Sequence, residues 1–167
     1  TTGHSNIMIG EFAGDGFDTE AHNMAIGRGA LGGAVAGGEF NVAIGNFTLD
    51  AVTSAGGNTA VGYNAGSSVT TGGSNTLIGH QAGQDTVALT TGINNTVIGM
   101  NARTSVNNAE GQIVIGKDLT GAGDNRVTIG SAGGTINCSY TANNTWTQSS
   151  DERLKKNINA DDLGLSF

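Results

Sequence analysis

The sequence predicts an elongated all-β fold assembled from short repeated units, and three observations predict it. One pentapeptide recurs eight times along most of the chain. Gly supplies 29 of 167 residues and Pro none, whereas Gly is usually about 7% of a protein. Charged residues make up only 13% and aromatic residues 5%, while Ile, Val, Leu and Ala return at regular intervals. Disordered chains tolerate this much Gly but are rich in Pro and charge. A chain without Pro can donate every backbone N–H to a sheet ladder.

The pentapeptide reads Asn, any residue, an apolar residue, Ile or Val, then Gly. Its copies start at Asn6, Asn23, Asn41, Asn58, Asn75 and Asn95, and two looser copies start at Gln112 and Arg126. The closing residues are Gly10, Gly27, Gly45, Gly62, Gly79, Gly99, Gly116 and Gly130, at steps of 17, 18, 17, 17, 20, 17 and 14. The short apolar run predicts a strand of three or four residues. Gly after it supplies a turn with positive φ or a close backbone approach. Asn before it tolerates the left-handed region and can bond its own turn. A weaker signal follows most glycines, as in Phe12-Ala13-Gly14 and Gln81-Ala82-Gly83, and predicts a second short strand or a turn. Gly-rich linkers such as Gly56-Gly57 and Gly72-Gly73 lead to the next Asn. A helical reading fails, because no segment keeps an i, i+3, i+4, i+7 pattern and Gly is too dense for helix interiors.

Each unit offers few apolar side chains, too few for a thick core, so stacked neighbours or partner chains must cover them. Net charge is −7, which argues against nucleic acid as a partner. A single cysteine, Cys138, excludes an intrachain disulfide framework and reads as a small packing residue. No apolar run of 18 residues predicts membrane insertion, and no charged-then-apolar leader is present. The chain opens without Met inside a repeat, which reads as a piece of a longer protein.

The Asn-x-Ala-Ile-Gly units resemble the head repeats of trimeric autotransporter adhesins, and similar repeats occur in phage tail fibres. The resemblance spans Asn6 to Gly130. It implies a repetitive parallel β-roll or β-helix in an intertwined or side-by-side homotrimer. At about 4.8 Å per strand layer, the shaft would rise about 35–40 Å.

Composition changes after Gly134. Thr135 to Trp146 keeps a β-like pattern, and then comes Ser150-Asp151-Glu152-Arg153-Leu154-Lys155-Lys156-Asn157-Ile158. Ser-Asp-x-Arg-x-Lys-x-Asn-Ile resembles the opening of the intramolecular chaperone auto-processing domain that ends many phage tail spikes and fibres. In that family the domain trimerises, guides folding of the stem and cuts itself off at Ser–Asp. The resemblance implies Ser150–Asp151 as the scissile bond, Ser150 as nucleophile and Lys155 as base. A serine needs a neighbouring base, and a lysine serves once burial or nearby positive charge lowers its pKa. Arg153 and Lys156 flank Lys155. Residues 1–133 thus read as Gly-rich β repeats, 134–150 as a short stem and 151–167 as the start of a chaperone domain much longer in the family.

The function implied is a structural and adhesive phage tail fibre, extracellular on the virion, with self-cleavage of the precursor as its only chemistry. Expected partners are two further copies, other tail proteins, and a host-surface receptor such as a glycan or outer-membrane component. No cofactor is expected. The head of a bacterial trimeric adhesin is the first alternative, and an ice-binding solenoid, with Thr59, Thr76 and Thr96 at equal phase, is another. The loops Gly14–Glu20, Gly32–Gly38 and Gln84–Thr91 are candidates for ligand contact. No aromatic cluster marks a carbohydrate groove. Gly14-Asp15-Gly16-Phe17-Asp18 lacks calcium-loop spacing and reads as a turn. His4, His22 and His80 sit at different phases of the repeat, and no metal site is expected. Gly121-Ala122-Gly123-Asp124 does not lie between a strand and a helix, so it is no phosphate loop.

Overall fold

A computed structural model describes residues 3–33, 38–84 and 87–141, and the backbone of 143–149. Ten strands form one sheet in chain order. They are β1 (Ile7–Ile9), β2 (Met24–Ile26), β3 (Val42–Ile44), β4 (Thr59–Val61), β5 (Thr76–Ile78), β6 (Thr96–Ile98), β7 (Ile113–Ile115), β8 (Arg126–Ser131), β9 (Gly134–Ser139) and β10 (Asn143–Ser149). From β1 to β8 every neighbour is parallel and in register, so seven successive pairings make seven turns of a β-solenoid. The described residues contain no helix. The fold is the predicted all-β repeat, with one strand of the sheet per repeat.

The closing glycines form a column, and both of their predicted roles are met at once. Gly27 has φ 130°, and a Cβ placed on it would lie 2.6 Å from the carbonyl of Gly45. Consecutive coils approach too closely there for any side chain. The second signal after each glycine is a turn rather than a strand. Its αL residue is the second after the glycine, as in Phe12 (φ 59°), Phe47 (57°), Asn64 (55°), Gln81 (55°) and Asn101 (53°).

The repeat asparagines do more than bond their own turns, as Asn23 Nδ2 does to Ala21 O at 3.0 Å. The αL residue at that corner is the one before Asn, such as His22 (φ 60°), Phe40 (60°) and Ser74 (57°). The Asn side chain is buried and bonds the next coil. Asn41 Oδ1 accepts from the backbone N–H of Asn58 at 3.0 Å and from its Nδ2 at 3.2 Å. Asn58 Oδ1 serves Asn75 in the same way, at 3.0 and 3.1 Å. Each Nδ2 also donates to a backbone carbonyl one coil on: Asn41 to Ala55, Asn58 to Gly72, Asn75 to Gly92 and Asn95 to Ala109, at 2.8–3.0 Å. The ladder runs from Asn6 to Gln112, whose N–H bonds Asn95 Oδ1 and whose Nε2 ends on Ser105 Oγ and Asp124 Oδ1. Buried amide groups need such partners, and only a short side chain carrying both donor and acceptor can supply them in every coil.

The core is thin and filled by size complementarity. The middle residue of each strand points inward: Ala25, Ala43, Ala60, Leu77, Val97 and Val114 are fully buried. Where the strand offers Ala25 or Ala43, the turn contributes a buried Leu31 or Leu49. Where it offers Leu77, the facing turn residues are Gly66 and Gly83, and a Cβ on Gly66 would lie 2.6 Å from Leu77 Cδ1. Val52, Val69 and Leu89 fill the far side.

The parallel coil stops after β8. The register Ser131↔Gly134 leaves Ala132-Gly133 as a two-residue hairpin loop, which only antiparallel strands can use. β9 and then β10 add antiparallel, with an irregularity between Asn143 and Thr147. This accounts for the β-like pattern after Gly134.

Candidate functional site on the outer sheet face

With the middle residue of each strand turned inward, its two neighbours must point outward. In-register stacking converts them into two vertical columns. The first is Ile7, Met24, Val42, Thr59, Thr76, Thr96, Ile113 and Val127. The second is Ile9, Ile26, Ile44, Val61, Ile78, Ile98, Ile115 and Ile129. Sixteen outward positions therefore hold no charge, and thirteen are apolar. Ile9 is 58% exposed, Ile7 46% and Ile129 40%. At about 4.8 Å per layer the face is about 34 Å tall. A contiguous apolar surface of that height marks an interaction site more often than plain solvent-facing surface.

The corners on either side of this face carry ring stacks that the sequence reading missed. Before the strands, His4 meets His22 edge-on at 5.1 Å, and His22 lies flat against Phe40 at 5.1 Å. His4 and His22 are thus brought together, although their sequence phases differ by one residue. After the strands, Phe47 meets Tyr63 edge-on at 6.2 Å, and Tyr63 stacks on His80 at 5.3 Å. The Arg28 guanidinium lies 5.6 Å from the Phe47 ring centre and pairs with Glu11 at 3.1 Å. Each stack joins rings of successive coils into a packing column, in which Phe40 stays 61% and Tyr63 47% exposed. Among the described residues, no group of three or more His, Cys, Asp or Glu side chains converges on one point.

Of the candidate loops, Gly14–Glu20 is folded on itself. Glu20 is buried, and its carboxylate accepts the N–H groups of Asp18 and Thr19 at 2.8 and 3.0 Å. Residues 34–37 of the Gly32–Gly38 loop and 85–86 of the Gln84–Thr91 loop lie outside the described residues. Beside the latter is an open cleft of about 540 Å³ lined, among the described residues, by Val87, Ala88, Thr90, Ser105, Val106 and Asn107, none of them charged. Burial pushes the Asp50 carboxyl above its usual range. Hydrogen bonds from the Glu110 backbone and the Gln112 side chain hold that of Asp124 below it.

The eight closing glycines form the structural column described above. Ser150, Asp151 and Lys155 lie outside the described residues. Thr59, Thr76 and Thr96 do stand in one column, but Val42 and Ile113 bound it after three layers, which is short for a flat ice-matching ladder. No protein-family model, curated protein or solved structure matches this chain.

Proposed function

We propose that this chain is part of a homotrimeric phage tail-fibre shaft, in which the outer sheet face is the contact between copies. The observation that carries the assembly is the apolar double column from Ile7 to Ile129. A thin solenoid that stacks Ala, Leu and Val inside and leaves Ile outside has a second apolar surface to remove from water. A copy of itself has the matching layer spacing. The phage assignment rests on the Asn-x-Ala-Ile-Gly units joined to the Ser-Asp-x-Arg-x-Lys motif at Ser150, which a bacterial adhesin head would lack. In this reading the Ser150 hydroxyl gives its proton to Lys155 and attacks the carbonyl carbon of the Ser150–Asp151 bond, the Asp151 amine leaves with a proton from Lys155, and water hydrolyses the resulting ester. The chaperone segment leaves once it has aligned three chains. The mature shaft is an extracellular part of the virion, joined to other tail proteins and directed at a host-surface glycan or outer-membrane component.

Light scattering of the released shaft tests the assembly, and a monomer mass overturns it. Expression with the complete C-terminal region, beside Ser150→Ala, tests the processing. The unsubstituted chain should be cut between Ser150 and Asp151 and the variant should stay intact. An uncut unsubstituted chain, or cutting elsewhere, overturns it.

A further inference from the structure

The outer face has a weakness as a contact between copies. Its layers repeat at one spacing, and nearly all are aliphatic. Two such faces could slide by one coil and still match hydrocarbon to hydrocarbon. Only layers four to six differ: there the first column carries Thr59, Thr76 and Thr96, flanked by Val42 on one side and Ile113 on the other.

The hydroxyls of these three threonines differ from those of five threonines at the turns and corners. Thr48, Thr53, Thr70, Thr90 and Thr104 each donate to a backbone carbonyl. Thr59, Thr76 and Thr96 have no such partner among the described residues. They are half-buried in an otherwise aliphatic face and point the same way from adjacent coils. A hydroxyl pressed against hydrocarbon loses its water without a replacement bond.

We propose that Thr59, Thr76 and Thr96 set the axial register between copies of this chain. The proposal rests on the reading that copies associate through this face. With parallel copies in register, threonine layers meet threonine layers, and the hydroxyls bond one another or shared water. A slip by one coil sets Thr96 of one copy against Ile113 of the next, and Thr59 of that copy against Val42 of the first. Two hydroxyls are then stranded at each contact. A single polar position in an apolar seam fixes register in coiled coils by the same cost. The expected preference for the aligned register is at least about tenfold, the factor for one stranded hydroxyl.

The test co-expresses two full-length chains, one carrying Ile44→Cys in layer three and the other Val61→Cys in layer four. After oxidation, mass spectrometry counts the disulfides formed between chains. Aligned copies give 44–44 and 61–61 pairs, and slipped copies give 44–61 pairs. Same-layer pairs should outnumber 44–61 pairs at least tenfold. With Thr59→Val, Thr76→Val and Thr96→Val in both chains, 44–61 pairs should rise to comparable amounts. A second variant keeps the threonine count but moves the block by one coil: Val42→Thr with Thr96→Val, placed in the chain with Ile44→Cys. Mixed with the chain bearing only Val61→Cys, it should bring 44–61 pairs up to amounts comparable with same-layer pairs, which contacts between like chains still form. Scarce 44–61 pairs in an assembled frame-shifted mixture overturn the register role and leave the association standing. Frequent 44–61 pairs in the starting mixture overturn it also. A monomeric starting chain overturns both readings together.

Discussion

Replacing Asn58 with Leu tests the internal ladder directly. Asn58 donates Nδ2 to Gly72 O at 3.0 Å and to Asn41 Oδ1 at 3.2 Å, and its Oδ1 accepts from the N–H and Nδ2 of Asn75 at 3.0 and 3.1 Å. Leu is close in size, so the change removes bonds without opening a large cavity. Two groups lose their only ladder partner, the Asn75 backbone N–H and the Gly72 carbonyl. An orphaned buried group costs about 1–3 kcal/mol, so the sum is about 2–6 kcal/mol, a large part of the 5–15 kcal/mol typical of a whole domain. Urea unfolding at fixed protein concentration, with Asn108→Leu as an exposed control, measures it. The control should fall within about 0.5 kcal/mol of the unsubstituted chain. The double change Asn58→Leu with Asn75→Leu should cost less than the sum of the two single changes, because both remove the one bond from Asn75 Nδ2 to Asn58 Oδ1. A loss below about 1 kcal/mol for Asn58→Leu, or strict additivity in the double, would refute the ladder as a stabilising unit.

Gly27→Ala should cost more than about 3 kcal/mol, combining a φ near 130° with a Cβ that meets Gly45, and a thermal midpoint within a few degrees of the original would contradict this. Asp50 binds its proton more tightly when folded, because burial raises its pKa. Its contribution is therefore favourable at low pH and is lost as pH rises through the folded value, so Asp50→Asn should raise stability at pH 7 and flatten that limb of the pH profile. Asp124 has the opposite sign: its lowered pKa stabilises above the unfolded value and is lost as pH falls through the folded one. Asp124→Ala should be less stable than the unsubstituted chain at neutral pH, with the gap closing in acid.

The glycine column was legible because Gly leaves a unique mark wherever two backbones touch, and Gly27 or Gly79 cannot be replaced by any other residue without a clash. The eight pentapeptides likewise announced eight strands. The role of Asn41 or Asn58 was not legible, since Asn suits both a turn and a ladder, and sequence gives the spacing of residues along the chain rather than across coils. The ring stacks escaped for the same reason: Phe47, Tyr63 and His80 are separated by 16 and 17 residues and meet only because each coil closes over the last. Sequence alone also left open which apolar residue of Asn-x-Ala-Ile-Gly faces inward. The tight coil decides it, admitting Ala43 to the interior and turning Ile44 out.

The ladder hydrogen bonds of this solenoid run along its long axis, which has a mechanical consequence. A pull on the two ends loads all the bonds between a pair of coils together, while the successive coil junctions share the load in series. Such a rod yields at its poorest junction, however strong the others are. Between β4 and β5 the strand bonds are supplemented by the Asn58–Asn75 amide pair and by Gly66 N–H to Ala82 O at 2.9 Å. Between β7 and β8 the Asn column has ended, and Asp124 Oδ1 takes its place by accepting from Gln112 Nε2 and the Glu110 N–H. Under tension, removing the amide at any one layer should therefore lower the strength of the whole rod, not only of that coil.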